Sequence, residues 1–210
     1  MAVIVVGGHS RSVGKTSVVA GLIQALPEFH WTALKITQYG HNICSANGEA
    51  CDCATADHGL AITEEHDRRG ETDTSRFLVA GANKVFWVRT RIGELATAMP
   101  KIRQVLESST NVIFESNSLM KFIRPDLYLT VLDPNNQDFK DSARWALDRA
   151  DAVLMHDANN IAWTNVSLRP VLGRPTFQIS EGNYVTAEVI DFVRQKLASL
   201  HASANEIKPR

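Results

Sequence analysis

The sequence contains no apolar run near the roughly 18 residues of a membrane-spanning helix, and its Met1 leads into the apolar stretch Ala2-Val3-Ile4-Val5-Val6 without a basic leader. It also lacks a surplus of either charge. Twenty-two Lys and Arg face 23 Asp and Glu, giving a formal net charge of −1 and a pI near 6.7. A general nucleic-acid binder would show a basic excess or a clustered basic face. Cysteine is scarce: three residues, an odd number bunched between 44 and 53, do not make a secreted disulfide framework and suit a reducing compartment. There is no internal repeat and no low-complexity tract. These absences predict a cytoplasmic protein with neither a membrane nor a nucleic-acid partner. What is present, 44% hydrophobic and 21% charged residues over 210 positions, is enough for a single α/β domain with a substantial core.

The most informative stretch is Gly8-His9-Ser10-Arg11-Ser12-Val13-Gly14-Lys15-Thr16. It follows an apolar strand pattern and precedes the helix-forming Ser17-Val18-Val19-Ala20-Gly21-Leu22-Ile23. A strand, a small-residue loop ending Gly-Lys-Thr and a helix make a phosphate-binding loop. Backbone N–H groups and the helix N-terminus converge on an anion, Lys15 adds a positive charge, and the Thr16 hydroxyl can ligate Mg²⁺. The predicted nucleotide-contacting residues are therefore Gly8 through Ser17. The spacing is longer than usual, because His9 stands where the first glycine of the common motif belongs and Gly8 precedes it. Arg11 either approaches the phosphates or is solvated.

Further along, Trp31 to Thr37 reads as a second strand with Lys35 near its carboxyl end, the edge at which open parallel sheets bind ligands. Lys35 there faces the same crevice as Lys15, unless it is simply an exposed strand lysine. Asp73 is a candidate N-cap for a helix carrying Phe77, Leu78 and Ala80 that ends at Gly81. Lys84 to Val88 follows as a strand. Ile92, Leu95, Met99, Ile102 and Leu106 then fall on one helical face, with Pro100 marking a kink or a break. Asn111-Val112-Ile113-Phe114-Glu115 is a buried-looking strand whose terminal carboxylate suits Mg²⁺, directly or through water. Ser116, Asn117 and Ser118 beside it suit phosphate or substrate contacts. Three more strands follow, at 126–132, 151–157 and 176–179, with a helix over 138–147 and a closing helix over 185–200. After the strand ending at Asp157 the Asn-Lys-x-Asp signature of guanine recognition is absent, which leaves Asp157 and Asn159 as candidate readers of a base edge. The pattern predicts a three-layer α/β sandwich with a mostly parallel sheet of about seven strands. One domain spans 1–200 and a flexible tail 201–210.

Residues 38–72 break this pattern and read as a long excursion, a length that in a compact domain is usually functional or mobile. It contains His41, Cys44, Cys51, Cys53 and His58 in the order H-x-x-C-x₆-C-x-C-x₄-H, with Asp52 between the last two cysteines. Thiolates and imidazoles so spaced suit Zn²⁺ or part of an iron–sulfur cluster, with Cys44, Cys51, Cys53 and His58 as the ligand set. Free cysteines and solvated histidines are the alternative.

Three segments taken together resemble the molybdopterin-guanine dinucleotide biosynthesis protein B (MobB-like) family, within the dethiobiotin-synthetase-like group of P-loop NTPases. They are Gly8–Thr16, the strand ending Leu34-Lys35-Ile36-Thr37, and Asp73-Thr74-Ser75-Arg76-Phe77-Leu78-Val79-Ala80-Gly81-Ala82. Glu115 resembles the glutamate of that family's Glu-Gly turn, with Ser116 in the glycine's place. The loop length is closer to dethiobiotin synthetase, though the second loop lysine of that group is missing. The resemblance implies the P-loop NTPase fold, ATP or GTP with Mg²⁺, and catalytic roles for Lys15, Lys35 and Glu115. It also implies Mg²⁺ organised by Thr16, Asp73 and Glu115, a homodimer, and a cofactor-assembly enzyme as partner.

Overall fold

The structure, a computed structural model, describes residues 1–39, 60–157, 163 and 165–206, with side chains up to residue 200. Eight strands form one sheet: β1 (Val3–Gly8), β2 (Trp31–Tyr39), β3 (Leu60–Glu64), β4 (Lys84–Arg91), β5 (Asn111–Glu115), β6 (Leu127–Leu132), β7 (Ala152–His156) and β8 (Thr176–Ile179). Their order is β3-β4-β2-β5-β1-β6-β7-β8, and every pairing is parallel except β3 with β4. The connecting helices are α1 (Lys15–Ala25), α2 (Asp73–Val79), α3 (Leu95–Glu107), α4 (Asp141–Ala146) and α5 (Ala187–Glu206).

The near-continuous apolar runs of β1 and β5 follow from burial on both faces, as a parallel sheet covered by helices requires. Alternate residues of β1 serve opposite layers. Ile4 and Val6 join Leu22 and Ile23 of α1, Phe77 of α2 and Val189 and Val193 of α5. Val3 and Val5 join Leu95 and Ile102 of α3 and Ala143 of α4. Burying each large aliphatic side chain contributes about 1.5–3 kcal/mol. From β1 the chain first steps towards one edge, to β2 and β4, and later returns across the sheet to β5, β6, β7 and β8. Keeping one crossover hand while reversing direction puts α1 and α2 on one face and α3 and α4 on the other. The reversal opens a crevice beside the carboxyl end of β1.

Several boundaries differ from the sequence reading. The sheet has eight strands, not about seven, because Leu60–Glu64 within the 38–72 excursion pairs antiparallel with β4, Leu60 opposite Thr90 and Glu64 opposite Phe86. Its short Leu-Ala-Ile-Thr-Glu pattern is only half buried at an edge and carries little periodicity. β2 runs on to Tyr39, so Lys35 lies mid-strand, opposite Trp87 and Glu115. The N-cap of α2 is Thr72, whose side chain accepts from the Ser75 N–H at 3.2 Å, and Asp73 is the first helical residue. The helix α3 continues through Pro100, while Ile92 stays outside it and exposed. α4 starts three residues later than expected, since Asp138 is used elsewhere. α5 extends to Glu206, into the stretch read as a tail. No helix among the described residues is long and apolar enough to cross a membrane.

Candidate functional site

The loop between β1 and α1 is built around two left-handed residues, Ser12 (φ 56°) and Gly14 (φ 91°). Gly14 is required twice over: its φ favours glycine, and a Cβ there would lie 2.1 Å from Cε1 of Tyr184. Gly14 caps α1, and the Val18 N–H bonds its carbonyl at 2.9 Å. The N–H groups of Gly14 to Ser17 are thus those a helix N-terminus leaves to be satisfied from outside. They are what a phosphate would take.

Gly8 and His9 do a different job from the predicted one. The Gly8 N–H donates to Asn117 Oδ1 at 2.8 Å, and Asn117 Nδ2 returns a bond to the Gly8 carbonyl at 2.7 Å. The His9 N–H donates to the Val131 carbonyl at 3.2 Å. Their amides are spent inside the fold and brace the loop instead of meeting an anion. The His9 ring is fully buried; Nδ1 donates to the Asp138 carbonyl at 2.6 Å while Nε2 accepts from the Asp133 N–H at 3.0 Å, which fixes the neutral tautomer. Burial accordingly pulls its pKa below the ordinary value. Phe139 and Trp163 pack on the ring, with centroids 5.1 and 4.9 Å away. His9→Ala removes two bonds and this packing, and is expected to cost about 2–4 kcal/mol. A fall in Tm of about 5–12 °C in thermal unfolding checks it. Because the folded form resists the proton, the wild type should also lose stability as pH falls below 6.5, where the unfolded chain's histidine takes it up first. His9→Ala should lose less over that window.

The charged centre lies on the other side of the loop. Thr16 Oγ1 donates to Glu115 Oε2 at 2.8 Å, and Lys35 Nζ bridges Glu115 Oε1 at 2.9 Å and Asp73 Oδ2 at 2.5 Å. Lys15 Nζ donates to the Ser10 carbonyl at 2.5 Å. Burial pulls the Lys15 pKa down to about 8, with Glu115 opposing and Lys140 and Lys35 adding to the fall. Lys35 goes the other way: burial lowers it, but Glu115 and Asp73 together outweigh that and raise its pKa. The hydroxyl of Thr16 and the carboxylates of Glu115 and Asp73 are hard oxygen donors gathered at the loop's mouth, a donor set that fits Mg²⁺.

These groups line a cavity of about 690 Å³, within the usual range for a ligand site. Of the residues singled out from sequence, Arg11, Ser12, Gly14, Lys15, Thr16, Ser17, Lys35, Asp73 and Glu115 all reach it. Gly8, His9, Ser10 and Val13 stand behind the wall, with the Ser10 hydroxyl donating to Asp138 Oδ2 at 2.5 Å. Asp157 is exposed beyond β7 and does not line the cavity, and its carbonyl accepts from Asn135 at 2.9 Å. Ser116 and Ser118 bond each other at 3.2 Å, and the Leu119 N–H donates to Ser116; neither serine lines the cavity. Asn159, Cys44, Cys51, Cys53 and His58, like His41 and Asp52, lie outside the described residues. Among the described residues no group of three or more His, Cys, Asp or Glu is placed to hold a metal ion, so the Mg²⁺ set rests on two carboxylates and a hydroxyl.

The structure also adds residues that sequence reasoning missed. Arg76 donates to Ser17 Oγ at 3.0 Å, tying α2 to α1 at the cavity wall. Lys140 and Tyr184 close the loop side, while Trp87 and Arg89 stand on the sheet side. The available signal was Arg89 itself, a charge inside the strand pattern Val85 to Thr90, where an apolar residue would be expected.

A left-handed Gly-Lys-Thr loop between a central parallel strand and a helix, with an acidic strand end alongside, defines the P-loop NTPase fold. No protein-family model matches the chain, and no curated protein matches it. Among solved structures it is similar to MobB of Bacillus subtilis, at 16% identity over 92% of this chain and 96% of that one, with a TM-score of 0.41. It is also similar to HypB from Helicobacter pylori in complex with nickel, at 13% identity over 99% and 90% and a TM-score of 0.47. A third is LpxK from Aquifex aeolicus in complex with ATP, at 19% identity over 85% of this chain and a TM-score of 0.46; the chain spans about half the length of LpxK, 53%.

Proposed function

We propose that the protein binds ATP or GTP with Mg²⁺ and hydrolyses it slowly in the service of cofactor or metal-centre assembly. The observation that carries nucleotide binding is the joining of Thr16, Glu115, Lys35 and Asp73 into one bonded network beside the outward N–H groups of Gly14 to Ser17. The assembly role rests on the resemblance of Asp73 to Ala82 to the MobB-like pattern, and a homodimer and an assembly-enzyme partner rest on the same resemblance. Phosphoryl transfer needs mainly positioning and charge neutralisation. Lys15 leaves the Ser10 carbonyl for the terminal phosphates, and the loop amides hold the oxygens between them. Thr16, Glu115 and Asp73 are the groups that would hold Mg²⁺, which when bound offsets the phosphates' negative charge. Lys35, already held between two carboxylates, faces the transferred group.

A thermal-shift panel of ATP, GTP and their diphosphates with Mg²⁺ tests this. A ligand of the folded state at 100 times its Kd adds about 2.7 kcal/mol, read as a rise of about 5–10 °C. No shift with any of the four would sink the reading. A second reading, an ATP-dependent ligase or kinase, is favoured by one observation: the cavity extends past the loop along Thr37, Gln38, Tyr39, Trp87 and Arg89. Turnover that stays at background until a small acid is added would select it. Light scattering checks the dimer.

A further inference from the structure

The loop between β1 and α1 is held by a segment far along the chain. The stretch between β6 and α4 is fastened to it at three points: the His9 ring donates to the Asp138 carbonyl at 2.6 Å, the Ser10 hydroxyl donates to Asp138 Oδ2 at 2.5 Å, and the Lys140 N–H donates to the His9 carbonyl at 2.9 Å. Lys140 is thereby pinned through its backbone, immediately before α4. Lys140 and Lys15 hang on successive loop carbonyls, the first by its N–H on His9 and the second by its Nζ on Ser10. Successive Cα atoms lie about 3.8 Å apart, so the two lysines meet the loop at neighbouring points.

Lys140 is half-buried and lines the cavity together with Arg11, Ser12 and Lys15. Among the described residues its ammonium makes no hydrogen bond and no ion pair, whereas Lys15 has the Ser10 carbonyl and Lys35 has two carboxylates. The charges that act on it are those of Arg11 and Asp138, and Asp138 is itself bonded by Ser10. Burial first, and then Arg11, pull the Lys140 pKa below its ordinary value, with Asp138 opposing. Lys140 in turn adds to the fall at Lys15. Like charges gathered at a partly desolvated mouth repel, and an oxyanion set between them turns that repulsion into attraction.

We infer that Lys140 is a phosphate ligand of the site, a second lysine that engages the outermost phosphate of a bound nucleoside triphosphate beside Lys15. This rests on the reading of the loop as a triphosphate site, and it deepens that reading by naming the group that tells a triphosphate from a diphosphate. Lys15 goes to the terminal phosphates, so a lysine that meets the loop beside the anchor of Lys15 stands within reach of the same oxygens. The backbone bond to His9 fixes where its stem begins, while a compact charge on a flexible stem can follow the phosphate as Lys15 turns from Ser10. Lys140 acts through charge and hydrogen bonding alone, with no covalent step. Arg11, exposed at the rim, adds positive charge on the same side.

Calorimetric titration of the full chain in the presence of Mg²⁺ tests it. The probes are ADP, GDP and non-hydrolysable ATP and GTP analogues, titrated into wild type, Lys140→Ala, Lys140→Arg and Lys101→Ala. Lys101 is exposed on α3 and does not line the cavity, so its removal takes away the same charge without touching the site. With whichever base binds, Lys140→Ala should weaken the triphosphate analogue at least about tenfold and the diphosphate no more than about threefold, because the charge-assisted bond is lost only with the outer phosphate. Lys140→Arg should hold the analogue within about threefold of wild type, since it restores the charge and the donors. Lys101→Ala should leave both affinities unchanged. A loss in Lys140→Ala no greater for the triphosphate analogue than for the diphosphate, an equal loss in Lys101→Ala, or no recovery in Lys140→Arg overturns the assignment. Failure of every nucleotide to bind the wild type overturns the triphosphate reading instead. Should Lys140→Ala not fold, Lys140→Met takes its place in the same comparison.

Discussion

Replacing Lys15 with Met should abolish tight nucleotide binding and at the same time make the protein harder to unfold. In the free protein the ammonium is half-buried against the Ser10 carbonyl, and desolvation holds its pKa near 8. Between pH 8 and about 10.5 the unfolded chain binds a proton that the folded one has released, so stability rises with pH across that window. Below it the folded state carries the cost of a desolvated charge, of order 1–3 kcal/mol. Methionine fills the same volume without that charge, so Tm at pH 7 should rise by about 3–8 °C. Nucleotide affinity should fall at least about 30-fold, the loss expected for charge-assisted bonds to phosphate. Above pH 8 the wild type must take up a proton to bind, so its affinity should decline with pH while that of Lys15→Met stays flat. Unchanged affinity in the variant would remove Lys15 from the site.

Glu115→Gln should cut Mg²⁺-dependent turnover by about a hundredfold and raise the Mg²⁺ concentration for half-maximal activity at least tenfold. Glu115 is 6% exposed and serves both Thr16 and Lys35. The amide keeps its shape but not its charge. Lys35 retains Asp73, so the stability cost should stay near 1–3 kcal/mol, below the 3–5 typical of a fully broken buried pair. Kinetics at varied Mg²⁺ together with thermal unfolding separate the two effects. Identical Mg²⁺ dependence in variant and wild type would show that Glu115 only positions Lys35.

The candidate site was legible where the chemistry is contiguous in sequence. The run from Gly14 to Ser17, with a strand before and a helix after, carries its own geometry, and each of those residues reaches the cavity. Asp73 and Glu115 were legible because each sits at a helix or strand end beside the crevice, and Lys35 because a lysine stands inside an otherwise apolar stretch of strand, although β2 runs on four residues beyond it. The role of His9 was not. At the first-glycine position of a phosphate loop it reads as a backbone donor, yet its amide and ring are used by Val131, Asp133 and Asp138, about 120–130 residues away. Asp157, a candidate base reader, likewise turned out to lie beyond the cavity.

The sequence alone determined the fold class, the position of the loop and the order of most elements, because apolar periodicity and a Gly-Lys-Thr turn are local and survive in one dimension. It did not determine the eighth strand, since half-buried edge residues need no apolar pattern. Only the tertiary structure decided that Thr16, Glu115, Lys35 and Asp73 form one network, that Asn117 and His9 brace the loop, and that Arg89 joins the cavity wall. Those contacts depend on strand order. With β5 inserted between β1 and β2, and β4 beyond β2, side chains about 40 to 130 positions apart become neighbours, and no spacing within the chain records which strands lie side by side.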